Sequence, residues 1–327
     1  MRAAVITEPG GPDVLQIMEV DDPVPGPEDV LVDVKASALN RADIIQRQGN
    51  YPAPAGSPSD IPGLEFAGVV VEAGERVVGM AKGDRVFGLL GGGGYASRTI
   101  THHRMAIPMP SDWDFVQAAA TPEVYFTAYD ALFNRGNLQM GESLLVHAAG
   151  SGVGTAAVQL AHQAGAFVFG TAGSPKKLAG AAKLGMDVGI NYHDEDFSAV
   201  VKEKTGGAGV DVLIDFIDGP YWDQNIASMA VLGRLVEVGL MGGGRVEVDL
   251  GQLLGKRLQV TGTGLRGRTL EEKLAITAQF KRHVLPHLAS GSMKPIVDRT
   301  FPLEEVADAH RYMETNANFG KIVLTID

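Results

Sequence analysis

One stretch constrains the fold of this 327-residue chain more than any other, residues 144–157 with the sequence LLVHAAGSGVGTAA. An apolar run of strand length leads directly into a glycine-rich turn, and an alanine-rich helical pattern begins at once. Such a turn points free backbone N–H groups and the positive end of the helix dipole at a bound anion. The match to G-x-G-x-x-G is partial, because Ala149 and Ser151 replace two glycines and only Gly154 remains. A purely structural turn would also need glycine, but the strands that follow favour a dinucleotide site.

Short apolar strands alternate with helical patterns downstream of Gln117. This alternation predicts a parallel sheet covered on both faces, and six strands are typical of a doubly wound dinucleotide-binding fold. The predicted strands are Ser143–His147, Phe167–Thr171, Val188–Ile190, Val210–Phe216, Arg234–Val238 and Leu258–Thr263, and the predicted helices are Val153–Gln163, Lys176–Leu184, Phe197–Lys204 and Trp222–Val231.

Short strands and turn residues dominate the first 120 residues, which predicts a mainly β segment. We expect Gly91–Gly94 to form a mobile loop. The C-terminal tail predicts a long helix over Leu270–Leu288, a strand over Pro295–Arg299, a helix near Leu303–Met313 and a strand over Lys321–Ile326. No linker separates this tail, so it can belong to the same domain as the N-terminal segment.

Composition excludes several classes of protein and site. The chain has no cysteine, which rules out disulfides, thiolate zinc sites and iron–sulfur clusters. The net charge of −11 disfavours nucleic acid and anionic lipid as partners. We expect a cytoplasmic protein, since no signal peptide or membrane-spanning apolar run is visible. His102 and His103 are read as structural or solvated, because neighbours on a strand face opposite ways.

The end of the second predicted strand indicates which dinucleotide binds. An NAD site expects an acid there, about 20 residues after the glycine turn, to bind the ribose hydroxyls. No acid occurs between Gly165 and Lys177, and Lys176 and Lys177 supply ammonium groups instead. A 2′-phosphate would meet no repulsion there and would gain charge-assisted hydrogen bonds. The segment therefore favours NADPH, although both lysines could also be ordinary solvated residues.

Motifs along nearly the whole chain resemble one known family. The sequence is similar to the zinc-free quinone oxidoreductase (zeta-crystallin-like) branch of the medium-chain dehydrogenase/reductase superfamily. The motifs that carry the resemblance, besides the glycine turn, are Ala38-Leu39-Asn40-Arg41-Ala42-Asp43, Pro62-Gly63-Leu64-Glu65-Phe66-Ala67-Gly68, Lys82-Gly83-Asp84-Arg85-Val86, Ala118-Ala119-Ala120 and Asn318-Phe319-Gly320-Lys321-Ile322-Val323-Leu324.

The resemblance implies an α/β protein with a Rossmann-type doubly wound sheet of six parallel strands and a GroES-like, mainly β catalytic domain. Residues 1–122 and 267–327 would form the catalytic domain, and residues 123–266 the NADPH-binding domain. Zinc-dependent relatives carry metal ligands at positions that read Asn40, Leu64 and Glu123 here. Since one amide and one carboxylate do not make the usual three-ligand site, we expect no metal.

The resemblance also implies an activity and a set of site residues. We expect direct hydride transfer from NADPH to a quinone, with ortho-quinones favoured. Alternatives are reduction of an activated C=C bond, as in 2-alkenals and enones, or NADPH binding without catalysis. Asn40 and Tyr51 are the candidate catalytic residues, although Tyr51 could equally be a packed loop aromatic. Glu65 is read as a structural acid that bonds only to backbone. The candidate cofactor contacts are Asn40, Tyr51, Thr127, Ser151, Gly152, Val153, Gly173, Ser174, Lys177, Tyr192, Leu240, Met241, Gly264, Leu265, Arg266 and Asn318.

The last predicted strand should lie at an edge of the parallel sheet. It contains no proline, and only the preceding Lys256-Arg257 pair could protect it from pairing with another chain. An unprotected edge can pair with a symmetry mate, and the family implies a dimer formed in this way. We therefore expect a homodimer joined through this edge.

Overall fold

The computed structural model describes all residues from Met1 to Asp327. They form two compact units, one comprising Met1–Glu123 and Leu265–Asp327, the other Val124–Gly264. The chain therefore leaves the first unit, builds the whole of the second and returns to the first.

The N-terminal part of the first unit is mainly β, as predicted. Its strands are β1 (Arg2–Ile6), β2 (Leu15–Glu19), β3 (Asp29–Ala38), β4 (Glu65–Ala73), β5 (Arg85–Leu89), β6 (Arg98–His102) and β7 (Ile107–Pro108), and its helices are α1 (Arg41–Arg47) and α2 (Phe115–Ala119). Strand β3 is central, and Val30, Val32 and Val34 from it enter the core with Phe66. Short 3-10 turns at Pro12–Val14 and Leu303–Glu305 complete this unit.

The second unit is built around six parallel strands. Helix α3 (Pro122–Tyr129) leads into it and continues as a π-helical turn, Asp130–Arg135. The remaining elements are β8 (Ser143–Val146), α4 (Gly152–Gln163), β9 (Phe167–Ala172), α5 (Pro175–Ala182), β10 (Val188–Asn191), α6 (Phe197–Lys204), β11 (Val210–Asp215), a 3-10 turn (Gly219–Tyr221), α7 (Trp222–Ser228), β12 (Met229–Glu237), α8 (Leu250–Lys256) and β13 (Gln259–Gly262). The spatial order β10-β9-β8-β11-β12-β13 confirms the predicted doubly wound sheet.

The predicted helix Trp222–Val231 is too long. Helix α7 ends at Ser228, and β12 starts at Met229, five residues before the predicted strand. The pairing of β11 with β12 shifts register so that Val210 opposes Met229 and Val212 opposes Arg234. Leu232 lies in this bulge with φ of 66°. The apolar residues of this bulge suggested a helix, but they form the irregular first part of β12.

Strand β13 lies at the edge of the sheet, as predicted. The expectation that Lys256 protects this edge is wrong. Lys256 Nζ instead donates to the backbone oxygens of Ile226, Ala227 and Met229 at 2.8–3.1 Å. The lysine thus caps the carbonyl end of α7.

The return segment completes the first unit. It contains α9 (Leu270–His283), α10 (Leu285–Ala289), β14 (Val297–Pro302), α11 (Val306–Glu314) and β15 (Lys321–Thr325). The larger sheet of this unit runs β14-β15-β3-β4-β5-β7, with β6 also paired to β3. The single helix predicted for Leu270–Leu288 is broken at Val284. Pro286 has no N–H to continue the hydrogen bonds of α9, and it lies instead in the first turn of α10, where an N–H would have no partner within the helix. No helix is of a length and apolarity that would cross a membrane.

Two further expectations for the first unit are wrong. Gly91–Gly94 has no regular structure, but it is largely buried rather than an open mobile loop, and Gly93 and Gly94 donate backbone hydrogen bonds to Ile61 and Gly63. His102 and His103 do not face opposite ways: their rings stack at 4.9 Å. His102 ends β6 and His103 begins the following turn, so strand alternation does not apply to this pair.

Candidate functional site

The glycine turn of the second unit has the geometry of an anion-binding helix start. Ala148 adopts φ of 48° directly after β8, and Ser151 caps α4 by accepting from Gly154 N at 2.9 Å. Gly152 and Val153 are the first two residues of the helix, where backbone N–H groups have no partner within the helix. A side chain at position 154 is impossible without rearrangement, because its Cβ would lie 2.2 Å from Ala148 O. The turn therefore fits a pyrophosphate group.

The end of β9 builds a second polar corner in this unit. Ser174 caps α5 by accepting from Lys177 N at 3.3 Å. A Cβ on Gly173 would lie 2.4 Å from the Tyr192 hydroxyl, so glycine is what allows Tyr192 to approach this closely. The Lys177 side chain packs against Gly150, whose Cβ would lie 3.0 Å from Lys177 Cδ. Lys177 thus lies against the glycine turn and Tyr192 against the corner after β9, and both offer polar side chains to a phosphate-bearing ligand.

A buried chain of polar groups joins the carboxyl ends of three neighbouring strands. His147 Nδ1 lies 2.9 Å from Thr171 Oγ1, and its Nε2 lies 2.7 Å from Asn225 Oδ1. Asn225 Nδ2 donates to Asp215 Oδ2 at 2.6 Å. Burial lowers the pKa of His147. The chain ties β9, β8 and β11 together beneath the ligand-binding edge, and the sequence analysis missed it.

Glu237 ends β12 in register with Asp215, and both of its carboxyl oxygens are buried without a hydrogen-bond partner. Burial, together with the charges of Asp215 and Asp218, raises the pKa of Glu237 to about 8. Its carboxyl group is therefore mostly protonated at neutral pH.

The other predicted residues of the second unit occupy different environments. Thr127 is buried in α3, whereas Leu240 and Met241 are 61% and 51% exposed in the loop after β12. Met241 N donates to Phe216 O at 3.0 Å, which joins the loops that follow β12 and β11. Gly264 is the last residue of this unit.

In the first unit, a buried lysine organises the region around Asn40. Lys321 Nζ donates to Leu39 O, Asn40 Oδ1 and Glu65 Oε1, each at 2.7 Å. Asn40 Nδ2 donates to Glu65 Oε1 at 2.9 Å. Lys321 is 3% exposed and Glu65 is fully buried. Glu65 is therefore half of a buried ion pair, which corrects the expectation that it bonds only to backbone.

A second buried carboxylate, Asp43, fixes the start of α1. It accepts from Asn40 N at 2.7 Å, from Gly63 N at 3.2 Å and from the Tyr95 hydroxyl at 2.9 Å. Burial raises the pKa of Asp43 to about 6, against the effect of these donors and of the Lys321 charge. Asp43 therefore has a structural role.

Tyr51 and Arg266 lie together in the first unit. The Arg266 guanidinium is 4.8 Å from the centre of the Tyr51 ring, and its Nη1 donates to Tyr51 O at 3.1 Å. Arg266 also donates to Gly91 O at 2.8 Å and to Gln46 Oε1 at 2.6 Å. Burial and the charge of Glu123 raise the pKa of Tyr51. Arg266 was predicted as a cofactor contact, and here it joins α1 to the loops that contain Tyr51 and Gly91.

The remaining predicted residues of the first unit make local contacts. Asn318 Nδ2 donates to Gly320 O at 2.8 Å, within the turn before β15. Leu265 is buried, and its carbonyl accepts from Arg268 N at 3.2 Å. Leu64 is also buried, at 2% exposure. No three His, Cys, Asp or Glu side chains are grouped in a way that could hold a metal ion.

Comparison with known proteins identifies the family. A family model described as an alcohol dehydrogenase GroES-like domain matches residues 26–111, and one described as a zinc-binding dehydrogenase matches residues 152–279. The chain is 32% identical over 329 residues to the quinone oxidoreductase of Rattus norvegicus, which covers 100% of this chain and 98% of that protein. The chain belongs to the quinone oxidoreductase branch of the medium-chain dehydrogenase/reductase superfamily.

Solved structures agree with this assignment. This oxidoreductase is similar to Escherichia coli quinone oxidoreductase complexed with NADPH, with a TM-score of 0.90 and 32% identity over 99% of this chain and 100% of that one. It is also similar to the CurK enoyl reductase, with a TM-score of 0.89 and 29% identity over 100% of this chain and 99% of that one. Its second unit is therefore a nicotinamide dinucleotide-binding domain.

Proposed function

We propose that this oxidoreductase is an NADPH-dependent quinone reductase that works without zinc. When bound, NADPH supplies a hydride from C4 of its nicotinamide. The chain's own residues bind the cofactor, position the acceptor and exclude water. The observation that carries the proposal is the Lys321–Glu65–Asn40 cluster, in which a buried lysine already occupies the polar groups of Asn40 and Glu65.

The donor set argues against catalytic zinc. The positions at which zinc-dependent relatives carry ligands read Asn40, Leu64 and Glu123, and the chain has no cysteine. Leu64 has no donor atom, and the Asn40 amide is already bonded to Lys321 and Glu65. Without a Lewis acid to polarise an alcohol, the favoured substrate is one that accepts hydride readily, such as a quinone.

The preference for NADPH rests on the corner after β9. The segment Gly165–Lys177 contains no carboxylate. It therefore lacks the acid that binds the ribose 2′-hydroxyl in an NAD site, and no negative charge in it would repel a 2′-phosphate. In our proposal Ser151, Gly152 and Val153 hold the pyrophosphate, while Gly173, Ser174, Lys177 and Tyr192 surround the 2′-phosphate.

Reduction of an activated C=C bond is the second candidate function, and the similarity to the CurK enoyl reductase favours it. A substrate panel separates the two. NADPH consumption would be followed with ortho-quinones, para-quinones and 2-alkenals. NADPH formation from NADP⁺ would be followed with simple alcohols. We expect quinones, ortho-quinones above all, to be reduced fastest. Rapid oxidation of alcohols would refute the proposal, and turnover of alkenals alone would establish the second candidate.

We also propose a homodimer that forms through the edge of the parallel sheet. The outer edge of β13 has no neighbouring strand, and Val260 on this strand is 41% exposed. Leu250 and Leu254 of α8 are 70% and 80% exposed. An open strand edge beside exposed leucines is suited to pairing with a second copy around a two-fold axis.

A further inference from the structure

Glu123 differs from the other carboxyl groups near Asn40. It is the second residue of α3, and its backbone N–H donates to Glu65 Oε2 at 2.8 Å. Its own carboxyl group lies outside this hydrogen-bond network, although the residue is partly buried. Glu65 and Asp43, in contrast, each accept three hydrogen bonds. Glu123 is therefore the carboxyl group of this cluster whose oxygens stay available to a ligand.

The surroundings of Glu123 oppose its ionisation. Burial is the largest effect, the charges of Glu65 and Asp43 add to it, and the cations Lys321 and Arg266 oppose it. Together they raise the pKa of Glu123 to about 8. The charged and titratable groups that interact with Glu123 are Glu65 of β4, Lys321 of β15, Asp43 of α1, Tyr51 in the loop after α1, Arg266 in the segment before α9 and Lys273 of α9.

We propose that Glu123 is the acid that gives a proton to the reduced substrate. The proposal rests on the quinone reductase activity proposed above. Hydride from NADPH carries two electrons to the quinone and leaves the hydroquinone monoanion and NADP⁺. The O–H bond of Glu123 then breaks as the anionic oxygen of the product gains that proton, and water reprotonates the Glu123 carboxylate before the next turnover.

Neighbouring groups are less suited to this step. Both oxygens of Glu65 already accept hydrogen bonds, from Lys321 and Asn40 and from the backbone N–H of Glu123. Asp43 is fully buried and bonded to Tyr95, which keeps it from a substrate. Tyr51 is a weaker acid than free tyrosine because burial and the charge of Glu123 raise its pKa. A general acid works best when its pKa lies near the operating pH, and of this group Glu123 meets that condition while remaining partly exposed.

The test compares Glu123→Gln with Glu75→Gln, a matched change at an exposed turn of the same unit. Initial rates with NADPH and an ortho-quinone would be measured from pH 6 to pH 10. For the wild type and Glu75→Gln we expect kcat to be constant below about pH 8 and to fall above it as Glu123 loses its proton. For Glu123→Gln we expect a kcat about a hundredfold lower at pH 7, the low end for loss of a general acid. Its rate should also be independent of pH above 8, and its Kd for NADPH unchanged.

Infrared difference spectra of the protein without cofactor supply a readout that does not depend on activity. Between pH 6.5 and pH 9.5 the wild type should lose a protonated carboxyl band, and Glu123→Gln should lack that component. Glu237 also has a pKa of about 8, so the same spectra are recorded for Glu237→Gln. If Glu123→Gln folds poorly, the Glu237→Gln variant must still show the Glu123 titration, and the proposal stays testable.

Several outcomes would overturn the proposal. One is a wild-type kcat that stays constant to pH 10, another is a Glu123→Gln variant that keeps the wild-type pH profile, and a third is the absence of a carboxyl titration near pH 8. Each leaves quinone reduction by the wild type intact. If the wild type reduces no quinone, the proposed function fails instead, and the infrared titration still reports the state of Glu123.

Discussion

Removing the Lys321 side chain tests whether the buried ammonium holds the first unit together. The substitution Lys321→Met keeps much of the volume but deletes three donated hydrogen bonds of 2.7 Å. It also leaves Glu65 as a buried carboxylate without its cation, and Leu39 O and Asn40 Oδ1 without this donor. Breaking one side of a buried ion pair costs about 3–5 kcal/mol, so we expect that loss in the free energy of unfolding. For a unit of this size the melting temperature should fall by roughly 6–20 °C.

Lys35→Met is the matched control, because Lys35 pairs with Asp33 at 2.9 Å on the surface, with both side chains about one third exposed. An exposed pair contributes about 0–1 kcal/mol, so the control should unfold close to the wild type. Urea unfolding followed by circular dichroism gives the free energies.

A double-mutant cycle with Glu65→Gln then measures the coupling of the pair. Glu65→Gln alone leaves a buried ammonium without its anion. We expect the double variant to lose about as much stability as one single variant, since the second change removes a charge that the first left unpaired. Additivity of the two single effects to within about 0.5 kcal/mol would refute this reasoning. A Lys321→Met variant as stable as the Lys35→Met control would refute it as well.

Four further predictions concern function and assembly. In titrations followed by cofactor fluorescence, NADPH should bind more tightly than NADH, and Lys177→Glu should reduce or reverse this difference in affinity. Equal affinities in the wild type would contradict the proposed preference for NADPH. Elemental analysis should find no stoichiometric zinc, and a chelator should change neither activity nor melting temperature; one zinc per chain would show that the donor-set argument is wrong. Light scattering at micromolar concentration should give the mass of a dimer, and a monomer would rule out pairing through β13. Tyr51→Phe should lower kcat by less than about a hundredfold, because Glu123 and not Tyr51 is the proposed proton donor; a loss of several hundredfold with unchanged NADPH binding would make Tyr51 the acid.

Local patterns predicted the second unit well. The glycine turn and the alternation of apolar strands with helices depend on residues close together in the chain, and both are present in the structure. The errors arose where a local pattern was ambiguous. Apolar residues at 229–231 suggested a helix but belong to a strand that begins with a bulge. Pro286 ends a helix whose hydrophobic pattern continues past it.

The network around Asn40 could not be predicted in this way. Lys321 and Glu65 are 256 residues apart in the chain, and His147 and Asn225 are 78 apart. Their pairing depends on sheet topology. The strands β15 and β4, which carry Lys321 and Glu65, both pair with β3. Asn225 lies in α7, which follows β11, and β11 pairs with β8, the strand before His147. One sequence signal was available, since Lys321 opens an otherwise apolar strand and a lysine in such a place needs a buried partner. The sequence offers no comparable sign of which acid that partner is.

The unpartnered carboxyl group of Glu237 has a consequence for handling the protein. Its folded pKa of about 8 lies above the ordinary value of 4.5. The folded state therefore holds a proton that the unfolded state releases across this range. The stability that this proton confers is fully present below pH 4.5, declines as the pH rises and is lost above about pH 8. Purification and storage in mildly alkaline buffer should thus shorten the working life of the protein, and Glu237→Gln should extend its tolerance of alkali.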